Sequence, residues 1–405
     1  MPTQNQILTH QMLAREAAAM LSEEANFLSN INRGREEEFK AQPSGYRKGD
    51  KVDIGVPPVP TVYDGANFAG GGDAPNQKEE KVTLQLATQK HVPLTFTAKE
   101  KALSISDFKT RFLKPAMNSL ASVVQADLIQ RAVLATPNVV GTPGTLPNTF
   151  KTYGQARSSL ERFLAPGGDR TVLLSSDASN ELADAIKNQQ NPTDTGNKAF
   201  KEGYITRAQN FDMFENQSLP VFANGTATGF TVNGAGQTGN TLNIGNLTGG
   251  WTILKGTVFT IPGVFAVHPI LGVSNGKLRQ FVVTADFTAG GATGAISIYP
   301  ELKATTAAQV GNVSALPANG QPVSLVGSAS TAYRQQLGFH KDAFTAAFAP
   351  LPILASCEGY TASVNGFSVR VMTFGNGQSD TESTRIDVLY GFAAVRPDHS
   401  VRITE

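Results

Sequence analysis

Three short stretches place reactive residue types at spacings that chemistry uses. Gly272-Val273-Ser274-Asn275-Gly276 has the form of a nucleophile elbow, and His268 and Asp286 stand near enough in sequence to suggest a serine triad. That chemistry needs a strand entering the serine turn and a helix leaving it. Residues 277–285 read as a strand instead, and Asn275-Gly276 between two β runs is hairpin-turn chemistry, so the chain is expected to turn there. A hydrolase built on Ser274 is therefore the weakest of the functions weighed. Gly234-Ala235-Gly236-Gln237-Thr238-Gly239 matches a dinucleotide fingerprint, but residues 240–244 do not continue as a helix. Without that helix there is no row of free amides for a pyrophosphate, and a flexible connector is expected. Asp194-Thr195-Gly196 resembles half of an aspartic-protease dyad, yet it lies in the polar stretch 188–197 rather than between apolar strands.

Metal chemistry is no better supported. His10, His91, His268, His340 and His399 are scattered, with no pair at helical ligand spacing. Asp380, Glu382 and Asp387 form a loose acidic group beside residues 375–378, which reads as a solvated loop before it reads as a cation site. Cys357 is the single cysteine, so no intramolecular disulfide and no cysteine-rich zinc site can form. No residue is assigned a catalytic, cofactor-binding or metal-binding role, and no cofactor is expected.

The elements around these stretches carry more information than the stretches themselves. Residues 4–32 repeat Leu13, Ala17, Met20, Leu21, Phe27, Leu28 and Ile31 at helical spacing, giving an apolar stripe with no neighbouring core in sequence. Something must cover it. Residues 50–97 read as a long extended hairpin: Pro57, Pro58 and Pro60 exclude helix, and the return strand alternates Val82, Leu84 and Leu86 against Thr83, Gln85 and Thr88. Its glycine-rich connection, 64–77, is too long for a tight turn. An adjacent surface, such as another subunit, is expected to cover the apolar row. Ser106 or Asp107 can cap a short segment, after which Pro115 opens or kinks a helix striped by Met117, Leu120, Val124 and Leu128 and ending near Ala135. Helix 150–163, strand 171–174 and helix 177–187 follow, with a loop at 141–147 before them.

Residues 225–328 differ from their surroundings. Lys255, Lys277, Arg279, Asp286, Glu301 and Lys303 are their only charges, and short β runs at 241–244, 258–261, 278–285 and 295–299 alternate with turn dipeptides. Mixed strands return at 337–354, 366–374 and 386–395. The pattern is that of an all-β module inserted into a larger α+β domain. At 405 residues the chain has room for two or three domains at about 100–200 residues each. A net charge of +1 gives no bulk attraction to nucleic acid or anionic membrane. The first residues lack the pattern of a signal peptide, and no run is apolar enough for a membrane helix.

The order of these parts carries a resemblance. Phe211-Asp212-Met213-Phe214-Glu215-Asn216-Gln217-Ser218-Leu219-Pro220 runs on into Ala227-Thr228-Gly229-Phe230-Thr231-Val232-Asn233-Gly234. Lys255-Gly256-Thr257-Val258-Phe259-Thr260-Ile261-Pro262-Gly263-Val264 and the closing Tyr390-Gly391-Phe392-Ala393-Ala394-Val395-Arg396-Pro397 complete the set. The chain resembles the major capsid (coat) proteins of tailed bacteriophages with the Hong Kong 97-type fold, and among them the coat proteins of short-tailed Salmonella phages, which carry an inserted β-barrel domain. Residues 304–322 match nothing in that pattern.

The resemblance implies an N-terminal arm at 1–49, an extended loop and the start of a peripheral domain at 50–97, and the spine helix of that peripheral domain at 98–149. It further implies an axial domain begun at 150–224, a β-barrel insertion at 225–328 and return strands at 329–405. It implies no enzyme, but a structural protein whose copies, as hexamers and pentamers, build an icosahedral shell around packaged DNA that is not bound specifically. A scaffolding protein and a portal are the other implied partners, with assembly in the host bacterial cytoplasm and residence in the virion. The alternative is a carbohydrate-binding or adhesin-like β protein whose inserted block recognises the ligand.

Overall fold

Leu13, Ala17 and Leu21 recur at three- and four-residue intervals and close one face of the helix His10–Glu24, which is followed by the short helix Asn26–Ser29. The structure, a computed structural model, describes residues 10–24, 26–34, 51–57, 79–97, 112–186, 207–305, 310–376 and 381–405. The expected cap at Ser106 or Asp107, the hairpin connection 64–77 and the Asp194-Thr195-Gly196 stretch lie outside these residues. The chain divides into two compact units: Met1–Ile54, Val82–Leu128 and Phe344–Ala393 form the first, and Gly55–Lys81, Ile129–Ala343 and Ala394–Glu405 the second.

In the first unit a six-stranded sheet runs in the order Lys51–Val56, Glu80–Thr97, Thr381–Ala394, Phe367–Asn376, Glu358–Val364, with Phe344–Ala349 also paired to Thr381–Ala394. The helix His10–Glu24 lies against Glu358–Val364 and Phe367–Asn376. His10 Nε2 meets Thr373 Oγ1 at 3.0 Å, Asn32 N–H donates to Phe344 O, and the Phe27 and Phe344 rings are 6.2 Å apart. The cover that the stripe needs is thus supplied by its own chain, and the arm is not an element left unsatisfied in the lone subunit. Its stripe is covered by strands more than 300 residues further on, and Met20 alone of the named stripe is left half-buried.

The same holds for the extended hairpin. From Leu86 to Thr97 the return strand pairs antiparallel with Gly391 back to Thr381, so it is an interior strand of the sheet and not a free arm. Leu84 is fully buried, while Val82 and Leu86 are half-buried, so the adjacent surface expected to cover this row is in large part the subunit's own. Leu86 faces Gly391 and Thr88 faces Tyr390, which makes Ala87 an extra residue, a β-bulge. Thr88, expected on the outer face, is half-covered as a result. The two strands come so close here that a Cβ on Gly391 would sit 2.4 Å from Gln85 O, and only glycine fits. The helix Lys114–Ala135 has Pro115 at its second position, where a missing N–H costs nothing, and Met117, Leu120, Val124 and Leu128 are all buried.

In the second unit a mixed sheet runs in the order Asn138–Val140, Ser400–Thr404, Ala332–His340, Arg170–Leu174, Phe211–Glu215, Arg207–Ala208, with Val221–Ala223 also on Ala332–His340. The helices Phe150–Arg162 and Ser176–Ile186 contribute Tyr153, Leu160 and Leu182 to a core with Val172, Phe211, Met213, Val401 and Ile403. A second sheet of the same unit runs Ser324–Leu325, Val258–Val267, Ser274–Val283, Thr293–Leu302, Gly239–Gly245, Thr231–Val232. Its edges are tied to each other. Thr231 bridges Pro322, Val232 N–H donates to Gln321 O, and Val323 N–H donates to Phe230 O. Inside it lie Phe230, Leu242, Ile244, Phe259, Ile261, Phe281, Ile296 and Val313, a core drawn from residues 227–323.

Candidate functional site

Ser274 opens a strand. Val267 is its cross-strand partner, and the connection between the two strands is residues 268–273, closed by His268 N–H to Val273 O and Gly272 N–H to His268 O. This moves the turn expected at Asn275-Gly276. Between the pairs Val267–Ser274 and Phe265–Leu278 the second strand holds two more residues than the first, so Asn275 and Gly276 form a bulge. Gly276 keeps the positive φ, +72°, that made Asn-Gly look like a hairpin turn. No helix follows Ser274, and its hydroxyl accepts from Gly276 N–H at 3.3 Å. His268 Nδ1 accepts from Ile270 and Leu271 N–H, each at 3.2 Å, and Asp286 Oδ1 accepts from Lys255 N–H at 2.7 Å. Ser274 and His268 are engaged within their own turns, and Asp286 is engaged with the backbone at Lys255.

Gly234, Gly236 and Gly239 all have positive φ, and the strand Gly239–Gly245 follows directly. Gln237 fixes this connection: its amide donates to the carbonyls of Asn233, Gly234 and Asn243, and its oxygen accepts from Asn243 N–H at 2.6 Å. The stretch is a built hairpin connection and no phosphate cradle, since no helix N-terminus adjoins it.

Asp387, read with Asp380 and Glu382 as part of a solvated loop, lies instead inside the strand Thr381–Ala394, as does Glu382. Asp387 is fully buried; Oδ2 accepts from Arg370 Nε at 3.1 Å and Nη2 at 2.6 Å, and Oδ1 accepts from Arg385 Nε at 2.6 Å. Arg370 and Asp387 are directly opposed across neighbouring strands, a cross-strand pair that neutralises the carboxylate in place. Asp380 lies outside the described residues. Among the described residues no group of three or more His, Cys, Asp or Glu could hold a metal ion.

Sequence reasoning also passed over the polar seam that joins residues 225–328 to the mixed sheet of the second unit. Gln280 accepts from Val139 N–H at 2.8 Å and donates to Val139 O at 2.9 Å. Arg279, 2% exposed, donates to Asp398 Oδ1 at 2.7 Å and lies 4.3 Å from the Phe163 ring centre. Asn224 Nδ2 donates to Val326 O at 2.8 Å, tying the chain where it enters and leaves the block.

Two histidines far apart in sequence also meet in this unit. The His340 and His399 rings are 6.2 Å apart, edge to face. Burial, partly offset by the nearby Asp342 and Asp169, holds His340 below the ordinary value of 6.5. Burial and Arg396 do the same for His399. As pH falls below 6.5 the unfolded chain therefore takes up protons that the folded chain refuses. The associated stability is complete above 6.5 and is lost as pH drops through 6.5 toward the lower folded values. Urea unfolding is expected to give a lower midpoint at about pH 5.5 than at about pH 7.5, with a smaller difference in His340→Gln/His399→Gln. An equal difference in the double variant would assign the loss to carboxylates.

Among the described residues these contacts form no catalytic constellation, and each of them ties strands, turns or helices within its own unit. The family model described as P22 coat protein, gene protein 5, matches residues 47–404. The chain belongs to the P22 coat protein family. As a P22-type coat protein it is the major capsid protein of a tailed phage, with the α+β Hong Kong 97-type fold, and it assembles with copies of itself into the shell of the virion. The carbohydrate-binding or adhesin-like alternative is not favoured. Among solved structures, this coat protein is similar to a chain of the structure titled Mycobacterium phage Che8, at 12% identity over 94% of this chain and 90% of that chain, with a TM-score of 0.49. It is also similar to the bacteriophage PhiM1 mature capsid, at 10% identity over 88% and 82%, TM-score 0.46. The capsid of the cyanophage P-SCSP1u gives 10% identity over 88% and 83%, TM-score 0.43. No curated protein sequence matches. Among the described residues no helix is long and apolar enough to cross a membrane.

Proposed function

We propose that this coat protein is a non-catalytic shell subunit in which residues 225–328 fold as an inserted β-barrel domain. The observation that supports this most is the tie between the first and last strands of that segment's sheet, Thr231 to Pro322, around an apolar core made from residues 227–323 alone. The engagement of Ser274 and His268 within their own turns, and of Asp286 with the Lys255 N–H, supports the absence of chemistry. The remaining parts are an N-terminal arm at 1–49, an extended loop at 50–97, a spine helix within 98–149, an axial domain begun at 150–224 and return strands at 329–405. In this reading hexamers and pentamers form in the host cytoplasm with a scaffolding protein and a portal, and DNA is enclosed without specific contacts. A net charge of +1 fits enclosure without strong attraction.

An excised 225–328 fragment is expected to give dispersed amide resonances and a cooperative melt, since its core lies within its own residues and its ends are adjacent. A collapsed random-coil spectrum would show instead that the segment depends on the seam at Val139 and Asp398.

A further inference from the structure

Within the strand Ser400–Thr404, Val401 and Ile403 enter the core of the mixed sheet, and alternation sends Arg402 to the opposite face. Arg402 is 1% exposed. Its Nη1 donates to Gly256 O at 2.8 Å, and its guanidinium carbon is 5.7 Å from the Phe222 ring centre. Nε and Nη2 have no hydrogen-bond partner. The contrast with the other buried arginines is direct: Arg279 has Asp398, Arg370 has Asp387 and Arg170 has Glu161, whereas no carboxylate among the described residues pairs with Arg402. Burial lowers its pKa to about 9, which still leaves it a cation at neutral pH.

Arg402 lines a small cavity with Val139, Phe222, Asn224, Tyr333 and Gln335, with about 20 Å³ of open space. That is room for one occupant the size of a water molecule or a halide, and too little for a phosphate. The nearby amides are committed elsewhere: Asn224 Nδ2 donates to Val326 O, and Gln335 Nε2 donates to Thr404 Oγ1 and Tyr333 O. A buried cation with one neutral acceptor and two idle donors is strongly unfavourable unless a counter-charge joins it.

We propose that this cavity binds a small monovalent anion of chloride size on Nε and Nη2 of Arg402. The site lies where the chain enters the block at Asn224 and leaves it at Val326, and Arg402 already holds Gly256 of the block. The anion would therefore neutralise the seam and stiffen the attachment of residues 225–328, whether or not that segment folds alone.

The test uses the full-length subunit with chloride exchanged for gluconate, which is too large to enter, at constant ionic strength. Chloride is expected to raise the melting temperature by on the order of 2 °C and to show excess chloride NMR line width. Arg402→Met should abolish both effects, because it removes the buried site, whereas an effect of surface chloride would persist in that variant. If Arg402→Met does not fold, Arg402→Lys, which keeps the charge but loses the fork, should weaken the line broadening. Identical melting and no excess line width in the unsubstituted protein, or an undiminished halide effect in either variant, would overturn the proposal and leave a water as the occupant.

Discussion

Asp387→Ala is expected to destabilise the first unit by about 3–5 kcal/mol, the usual cost of breaking a buried ion pair from one side. The carboxylate is the only acidic partner shown for Arg370, which is 6% exposed and otherwise donates to Pro352 O at 2.6 Å. Removing it strands a guanidinium between strands in the middle of the sheet and frees Arg385 and Gln89 from the other oxygen. Because the penalty comes from the uncompensated cation, Arg370→Met/Asp387→Leu should recover most of the lost stability. Urea unfolding of the two variants beside the unsubstituted protein decides this. A loss of under about 1 kcal/mol in Asp387→Ala would mean the triad is solvated and behaves as a surface ion pair.

The second large effect is expected from Phe281→Ala. Phe281 is fully buried and stacks on Phe259 with ring centres 5.6 Å apart, at the middle of the apolar core of residues 227–323. Truncating a buried phenylalanine costs about 3–5 kcal/mol through lost transfer energy and the cavity left behind. A segment of that size has little stability to spare against such a loss. Limited proteolysis should then cut first within 225–328 while the helices and the mixed sheet stay protected. Uniform degradation along the whole chain would show that the block and the rest of the second unit unfold as one.

Local periodicity made the helices legible. Met117, Leu120, Val124 and Leu128 mark a face, Pro115 marks its start, and the observed helix ends at Ala135 as read. The β character of 225–328 was legible for the same reason, but its registers were not. The β run read at 258–261 continues to Val267 through an irregularity in pairing. Asn275-Gly276 looked like a turn because a bulge asks for the same positive φ. What covers the stripe of Leu13, Ala17 and Leu21 could not be read at all, since its partners at Glu358–Val364 and Phe367–Asn376 are a tertiary matter. The buried arginines were invisible for a related reason. Arg370, Arg279 and Arg402 look like surface charges until strand register sets Asp387 opposite one, Asp398 beside another and no carboxylate beside the third.

Self-covering of the N-terminal helix and of Leu84 changes what assembly must do. The subunit keeps most of these apolar side chains inside itself and leaves Met20, Val82 and Leu86 half-buried, so shell formation has little of them left to bury. Electron microscopy of the purified, full-length protein under assembly conditions tests the central claim most directly. Closed shells, or curved fragments of them, are the predicted result. A field of small, uniform particles that never associate, with or without a scaffolding protein, would contradict it.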